Sequence, residues 1–248
     1  MKKYLLIAFL ITSISFAQKT TLYCIGDSTM ANKKDPDRNP EHGWAQVLQS
    51  FFKEDLVVAN KAVNGRSTKS FINENRWDSI YKKLKKGDYV FIEFGHNDEK
   101  IEDSTRFTNP HTAYRYNLIK FVKETRAKGA IPVLLTSIAR RNFNEKGVLV
   151  PTHGDYPLET RLVAQEYKVP FIDLEYYTEL LEQSYGPEKS KLLHLHFKAG
   201  EIPYYKDEKK DDTHLSLKGA TEVAQIVVSQ LKQFQEPSLD KLKKAIKN

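Results

Sequence analysis

Residues 23–30 read Tyr23-Cys24-Ile25-Gly26-Asp27-Ser28-Thr29-Met30. The apolar run over 21–25 stops abruptly at Gly-Asp-Ser, the pattern of a buried strand that breaks into a tight turn and presents a serine. Open α/β sheets bind ligands at the carboxyl ends of their strands, so Ser28 is a candidate site residue. A serine hydroxyl alone is a weak nucleophile and needs a base. Asp211-Asp212-Thr213-His214 offers a histidine with carboxylates before it. Two more polar turns, Asn64-Gly65-Arg66-Ser67 and Gly95-His96-Asn97-Asp98, each follow another strand-like run.

Outward from this turn, the chain alternates strands and helices. A polar loop over 32–42 contains Pro36 and Pro40, and 43–52 has helical spacing in Trp44, Val47, Leu48, Phe51 and Phe52. Strands are expected at 56–62, 89–94, 132–137 and 169–174. Helices are expected at 77–84, at 112–128 behind Pro110 and before Gly129, at 157–167, and at 175–185, with a short further one at 187–193. Residues 139–155 read as a charged loop and 194–213 as irregular. Ser216 is a natural N-cap for a last helix over 217–234. Residues 235–248 read as a lysine-rich tail, helical or frayed. Strands alternating with helices point to one α/β domain with a parallel sheet and helices on both faces.

The 248 residues, 40% hydrophobic and 29% charged, suffice for one such domain with a sizeable core. Lys2-Lys3, an apolar run over 4–14 and Ser15-Phe16-Ala17 describe a secretory signal peptide over 1–17, too short to span a bilayer. The domain is therefore expected over 18–234, with a basic tail over 235–248, in a secreted or periplasmic protein without a stable membrane anchor. The one cysteine, Cys24, excludes an internal disulfide and reads as a buried apolar residue. The formal charge is +7; without Lys2 and Lys3, 37 basic residues face 32 acidic ones, a net +5. Such an excess is commonly a solvated surface, and it also suits an anionic substrate. The sequence carries no Cys/His array, P-loop or nucleic-acid motif.

Gly26-Asp27-Ser28-Thr29, Gly65 in its turn, Gly95-His96-Asn97-Asp98 and Asp211-x-x-His214, in this order, resemble the SGNH/GDSL hydrolases, and more closely the rhamnogalacturonan acetylesterases. The likeness spans roughly 20–234. It implies a three-layer α/β/α sandwich around a five-stranded parallel sheet in the flavodoxin-like order 2-1-3-4-5. In that order the switch point lies between strands one and three, which end at Ser28 and near Asn97.

The resemblance implies Ser28 as nucleophile, His214 as general base and Asp211, three residues ahead of it, as the partner of His214. Asp212 is left to capping or solvation. It implies an oxyanion hole of the Ser28 and Gly65 N–H groups and the Asn97 amide, and no cofactor. Gly65 suits this physically, since a residue without Cβ lets an oxygen approach its N–H. Arg66, His96 and Trp44 are candidate substrate contacts. Arg66 is equally a solvated cation, His96 a loop-orienting residue and Trp44 a core residue. His194-Leu195-His196 invites a metal reading, but triad ester hydrolysis needs no metal. The expected substrate is an acetylated, acidic polysaccharide such as pectic rhamnogalacturonan. Acetylated xylan, a lipid or thioester, and a non-catalytic sugar-binding role are the alternatives. The polar loops speak against a lipid, and the presence of Ser28, Asp211 and His214 speaks against loss of catalysis.

Overall fold

The computed structural model describes residues 19–247; the expected signal peptide lies outside them. In chain order they form β1 (Thr20–Gly26), α1 (Trp44–Val47), β2 (Leu56–Asn60), α2 (Thr68–Asn73), α3 (Arg76–Tyr81), β3 (Tyr89–Glu93), α4 (Arg115–Ala127), β4 (Ile131–Leu135), α5 (Tyr156–Glu166), β5 (Phe171–Ile172), α6 (Leu174–Lys189), β6 (His194–Phe197), β7 (Lys209–Leu215), α7 (Leu217–Gln233) and α8 (Asp240–Lys244). The first five strands make a parallel sheet in the order β2-β1-β3-β4-β5.

The central strands are largely apolar because both faces of the sheet are covered. Side chains alternate between two cores with the period of two that a pleated strand imposes. Leu22, Cys24, Tyr89, Phe91, Val133 and Leu135 face a core shared with α1, α7 and α8. Tyr23, Ile25, Val90, Ile92 and Leu134 face a second core with α2, α3, α4 and α5. The result is the three-layer α/β/α sandwich that the alternating pattern implies.

Four segments differ from the sequence reading. Residues 194–213 are irregular only over 198–208: on either side β6 and β7 pair antiparallel, with a register break between His194 and Leu195. Their charged sequence hides the pairing, since Lys209-Lys210-Asp211-Asp212 shows no apolar alternation. The strand expected over 169–174 shrinks to Phe171–Ile172, because the Asp173 side chain accepts the Tyr176 N–H and begins α6. α2 was hidden as well; it starts at Ser67, whose hydroxyl accepts the Ser70 N–H while the Ser70 hydroxyl accepts the Ser67 N–H.

Residues 235–247 are not a tail. Leu239, Leu242, Ala245 and Ile246 are buried in the first core. The Tyr89 hydroxyl donates to the Ser238 carbonyl at 3.1 Å, and Lys53 and Lys247 exchange main-chain bonds with Ala245 and Phe51. Lys241, Lys244 and Lys247 point outward, which explains why composition alone read as a solvated tail. The domain therefore runs to the end of the described chain. Leu242→Ala is expected to cost about 2–5 kcal/mol, as truncation of a fully buried leucine does. Urea denaturation measures this, and an unchanged midpoint would show that α8 lies outside the cooperative unit.

Candidate active site

The turn after β1 is held by its own side chains. Asp27 Oδ1 accepts the Thr29 N–H at 3.0 Å, and the Ala31 N–H bonds the Asp27 carbonyl at 3.0 Å. The turn places the Ser28 hydroxyl 2.9 Å from His214 Nε2. His214 Nδ1 lies 2.9 Å from Asp211 Oδ2, while Asp211 Oδ1 accepts the Thr213 and His214 N–H groups at 3.0 and 2.9 Å. Burial raises the Asp211 pKa, but the bonds from the His214 ring and backbone outweigh it and hold the carboxyl well below the usual carboxylate range. An ionised Asp211 can only accept, so Nδ1 carries the ring proton and Nε2 is free to accept from Ser28. Asp212 is committed elsewhere: its Oδ1 accepts from His196 Nε2 at 2.7 Å and from Arg141 at 2.8 Å.

Gly65 and Asn97 lie on the turns beside this chain of bonds. Gly65 has φ of +74°, a conformation that itself asks for glycine. The Asn97 amide is oriented unambiguously. Arg106 Nη1 donates to its Oδ1 at 3.2 Å, and a guanidinium only donates, so Nδ2 must be the other atom. Nδ2 lies 3.3 Å from the Arg66 carbonyl. Lys33, nearly fully buried, ties the turns together: its ammonium donates to the Ser28 carbonyl at 2.6 Å and to Asn64 Oδ1 at 2.9 Å, and pairs with Glu41 at 2.7 Å. Neither Lys33 nor Arg106 stands out in the sequence. Each is an ordinary cation in a polar loop until the fold brings its partners together.

Of the candidate substrate contacts, Trp44 is corrected. It is fully buried, packs in the first core and donates its indole N–H to Glu93 Oε2 at 2.9 Å, so no sugar reaches it. His96 is also buried, with its ring edge-on to His153 at 4.5 Å, and it does not face solvent. Burial, reinforced by His153, pushes its pKa well down, so the ring is neutral. Arg66 is half-exposed and spends Nε on Glu74 and Nη1 on the Asn64 carbonyl. The two histidines of β6 serve different carboxylates, His194 on Glu182 and His196 on Asp212. His194 Nδ1 also meets the His214 carbonyl at 3.1 Å, which braces His214 from behind. Among the described residues no group of three or more His, Cys, Asp or Glu is arranged to hold a metal ion.

Beneath the serine lies a layer of buried carboxyls. Glu93, at the end of β3, takes Trp44 on Oε2 and lies 3.2 Å from the Thr29 hydroxyl, which also meets Asp27 Oδ1. The Thr29 hydroxyl thus lies within donating distance of both carboxyls. Burial, then the neighbouring Asp27 charge, pushes Glu93 up to about 8, and burial raises Asp27. Burial likewise pushes Asp98 up to about 7, although the Thr68 and Thr108 hydroxyls donate to it.

Residues 24–221 match the GDSL-like lipase/acylhydrolase family. The chain is 41% identical, over 221 residues, to the rhamnogalacturonan acetylesterase RhgT of Bacillus subtilis (strain 168), covering 89% of this chain and 93% of that one. The solved structure of YxiM from Bacillus subtilis matches with a TM-score of 0.72 and 26% identity, over 87% of this chain; this chain spans 56% of YxiM. The acetylxylan esterase Axe2 from Geobacillus stearothermophilus matches with a TM-score of 0.61 over 87% of this chain and 95% of that one. At 17% identity that likeness concerns the fold alone.

The raised Glu93 pKa sets a direction for stability. Between its ordinary value of 4.5 and about 8, the folded protein holds a proton that the unfolded chain has released. Stability contributed by this group is therefore full at acid pH and declines as pH rises through that window. Glu93→Gln keeps the shape and removes the titration. It is expected to flatten the decline by up to about 1.4 kcal/mol per pH unit. Denaturation midpoints at several pH values across the window check this; an identical slope in the variant would place the proton elsewhere.

Proposed function

The chain belongs to the GDSL-like lipase/acylhydrolase family of ester hydrolases, and from that premise we propose that it removes acetyl groups from an acidic plant polysaccharide of the pectic type, by way of an acetyl-Ser28 intermediate. The observation that carries the mechanism is the chain of hydrogen bonds Asp211–His214–Ser28. The Ser28 Oγ attacks the ester carbonyl carbon as its proton passes to His214 Nε2. The imidazolium so formed is stabilised by Asp211, already ionised and pointed at Nδ1. The carbonyl oxygen becomes an oxyanion between the Ser28 and Gly65 N–H groups and Asn97 Nδ2, donors held in place before the reaction starts. Collapse expels the sugar alkoxide, which takes the proton from Nε2. A water then gives its proton to Nε2, attacks the acetyl carbon and releases acetate, restoring Ser28.

Three features support the substrate. The similarity to RhgT extends over most of both chains. The basic excess of +5 beyond residue 17 suits a polymer that carries carboxylates. The N-terminal residues 1–17, read as a signal peptide, suit work outside the cytoplasm, where such polymers are met. An acetyl group is small, so discrimination falls to the sugar on the leaving side, and the loops around Ser28 are polar rather than apolar.

Ser28→Ala is expected to abolish acetate release while leaving the fold intact. Asn97→Ala, which removes one oxyanion donor, should lower kcat roughly a hundred- to a thousandfold with a smaller effect on KM. Steady-state assays on an aryl acetate decide both, and normal turnover in folded Ser28→Ala protein would refute the intermediate. For the substrate, acetate release from acetylated rhamnogalacturonan should exceed that from acetylated xylan, and only the former should slow as ionic strength rises. Equal rates on both polymers, with no salt effect, would leave the esterase and remove its acidic substrate.

A further inference from the structure

Beside Gly65 opens a cavity of about 580 Å³, walled by α2 on one side and by residues 104–106 on the other. Arg66, Lys69 and Arg106 line it, with Glu74 the one carboxylate among its lining residues. The cations are not equally engaged. Arg66 is paired with Glu74, which it shares with Arg76. Arg106 gives Nε to Asp103 and Nη1 to Asn97, and its Nη2 donates to no group among the described residues. Lys69 has no carboxylate within ion-pair distance among the described residues; its ammonium meets only the Ser104 carbonyl, at 2.6 Å. An ammonium has three protons to donate, so most of its capacity faces the cavity or solvent. The Ser104 carbonyl holds this ammonium against the same short loop that carries Arg106. Two partly unspent cations thus converge on one cleft.

The cleft adjoins the reacting centre. Arg106 Nη1 touches Asn97 and lies 3.8 Å from where a Cβ on Gly65 would stand. A group bound between Lys69 and Arg106 therefore sits next to the two turns proposed to hold the oxyanion. Arg66 and Arg106 are each ion-paired, with Glu74 and Asp103, and among the described residues Lys69 has no carboxylate partner; neither Lys69 nor Arg106 stands out in the sequence.

We propose that this cleft is a carboxylate subsite, in which Lys69 and the free edge of Arg106 bind the carboxylate of a hexuronate in the polymer that carries the ester. It rests on the proposed acetylesterase only for its purpose; the binding itself does not require turnover. An ammonium and a guanidinium edge match the charge and the two oxygens of a carboxylate, whereas a neutral pentose offers neither.

The test is calorimetric titration of the intact protein with trigalacturonate, using xylotriose and inorganic phosphate as comparison ligands. Trigalacturonate is expected to bind, and Lys69→Met, which keeps the aliphatic stem, to raise its Kd roughly tenfold, the size of one lost charge-assisted bond. Lys69→Arg should recover most of the loss, and the thermal midpoint of each variant verifies folding. Xylotriose should bind more weakly and be indifferent to position 69. No binding of trigalacturonate, or the same Kd in folded Lys69→Met, would overturn the subsite. Phosphate binding as tight as trigalacturonate would make the cleft a general anion site and overturn its assignment to uronate. Acetate release from the polymer is measured apart from this, so the subsite and the esterase reading fail by different results.

Discussion

The hydrogen bond from Ser28 to His214 spans 186 residues of sequence, and much of the structure serves to make it short. One end is rigid because β1 is the inner strand between β2 and β3, with an apolar core on each face. The other end sits on β7, a charged strand that no core would hold by itself. It is held by pairing with β6, by the main-chain bond from His42 to Leu215, and by the start of α7, where the Ser216 hydroxyl accepts the Gly219 N–H. Leu215 is buried between them. Asp211 reaches His214 because both belong to the same strand end, where backbone N–H groups and the ring converge on one carboxylate.

This geometry requires polar groups in a place where the fold would otherwise bury hydrocarbon. Lys33, Asp27, Glu93 and Asp98 all lie within or beneath the site with little or no solvent. Buried charge is costly unless paired or neutralised, and the protein uses both remedies. Lys33 is paired with Glu41 and donates to two oxygens besides. Glu93 is displaced toward its neutral form. The polar layer makes the serine turn stiff, because Thr29, Trp44 and Ile138 all bond the same carboxyl of β3. A stiff turn matters for catalysis, since donors aligned before reaction need no reorganisation during it.

Much of the fold was legible in local pattern. Apolar runs ending in Gly-Asp-Ser, Asn-Gly-Arg and Gly-His-Asn announce parallel strands with functional turns, because a strand buried on both faces must be apolar and its end must break sharply. The motifs named Ser28, Gly65, Asn97, Asp211 and His214 as one constellation by resemblance, and the structure brings these five to one end of the sheet. For Trp44 and His96, which the sequence left between substrate contact and an inward role, burial favours the inward role. Proximity in sequence to a site says nothing about which way a side chain turns, and both turn inward.

By itself, then, the sequence determined the alternation of strands and helices, the two-sided burial of the sheet, the turn that presents Ser28 and the caps of the later helices. These depend on neighbours within one strand or one turn of helix, where periods of two and 3.6 leave a readable trace. Only the tertiary structure decided that Asp212 serves His196 and Arg141, that 194–215 holds a hairpin, that 235–247 completes a core, and that Lys33 bonds the Ser28 and Asn64 turns while Arg106 bonds Asn97. Each of these rests on a pairing between groups from separate segments of the chain. A lysine or arginine in a polar loop looks the same in sequence whether it meets water or a buried carbonyl, and the fold alone settles which.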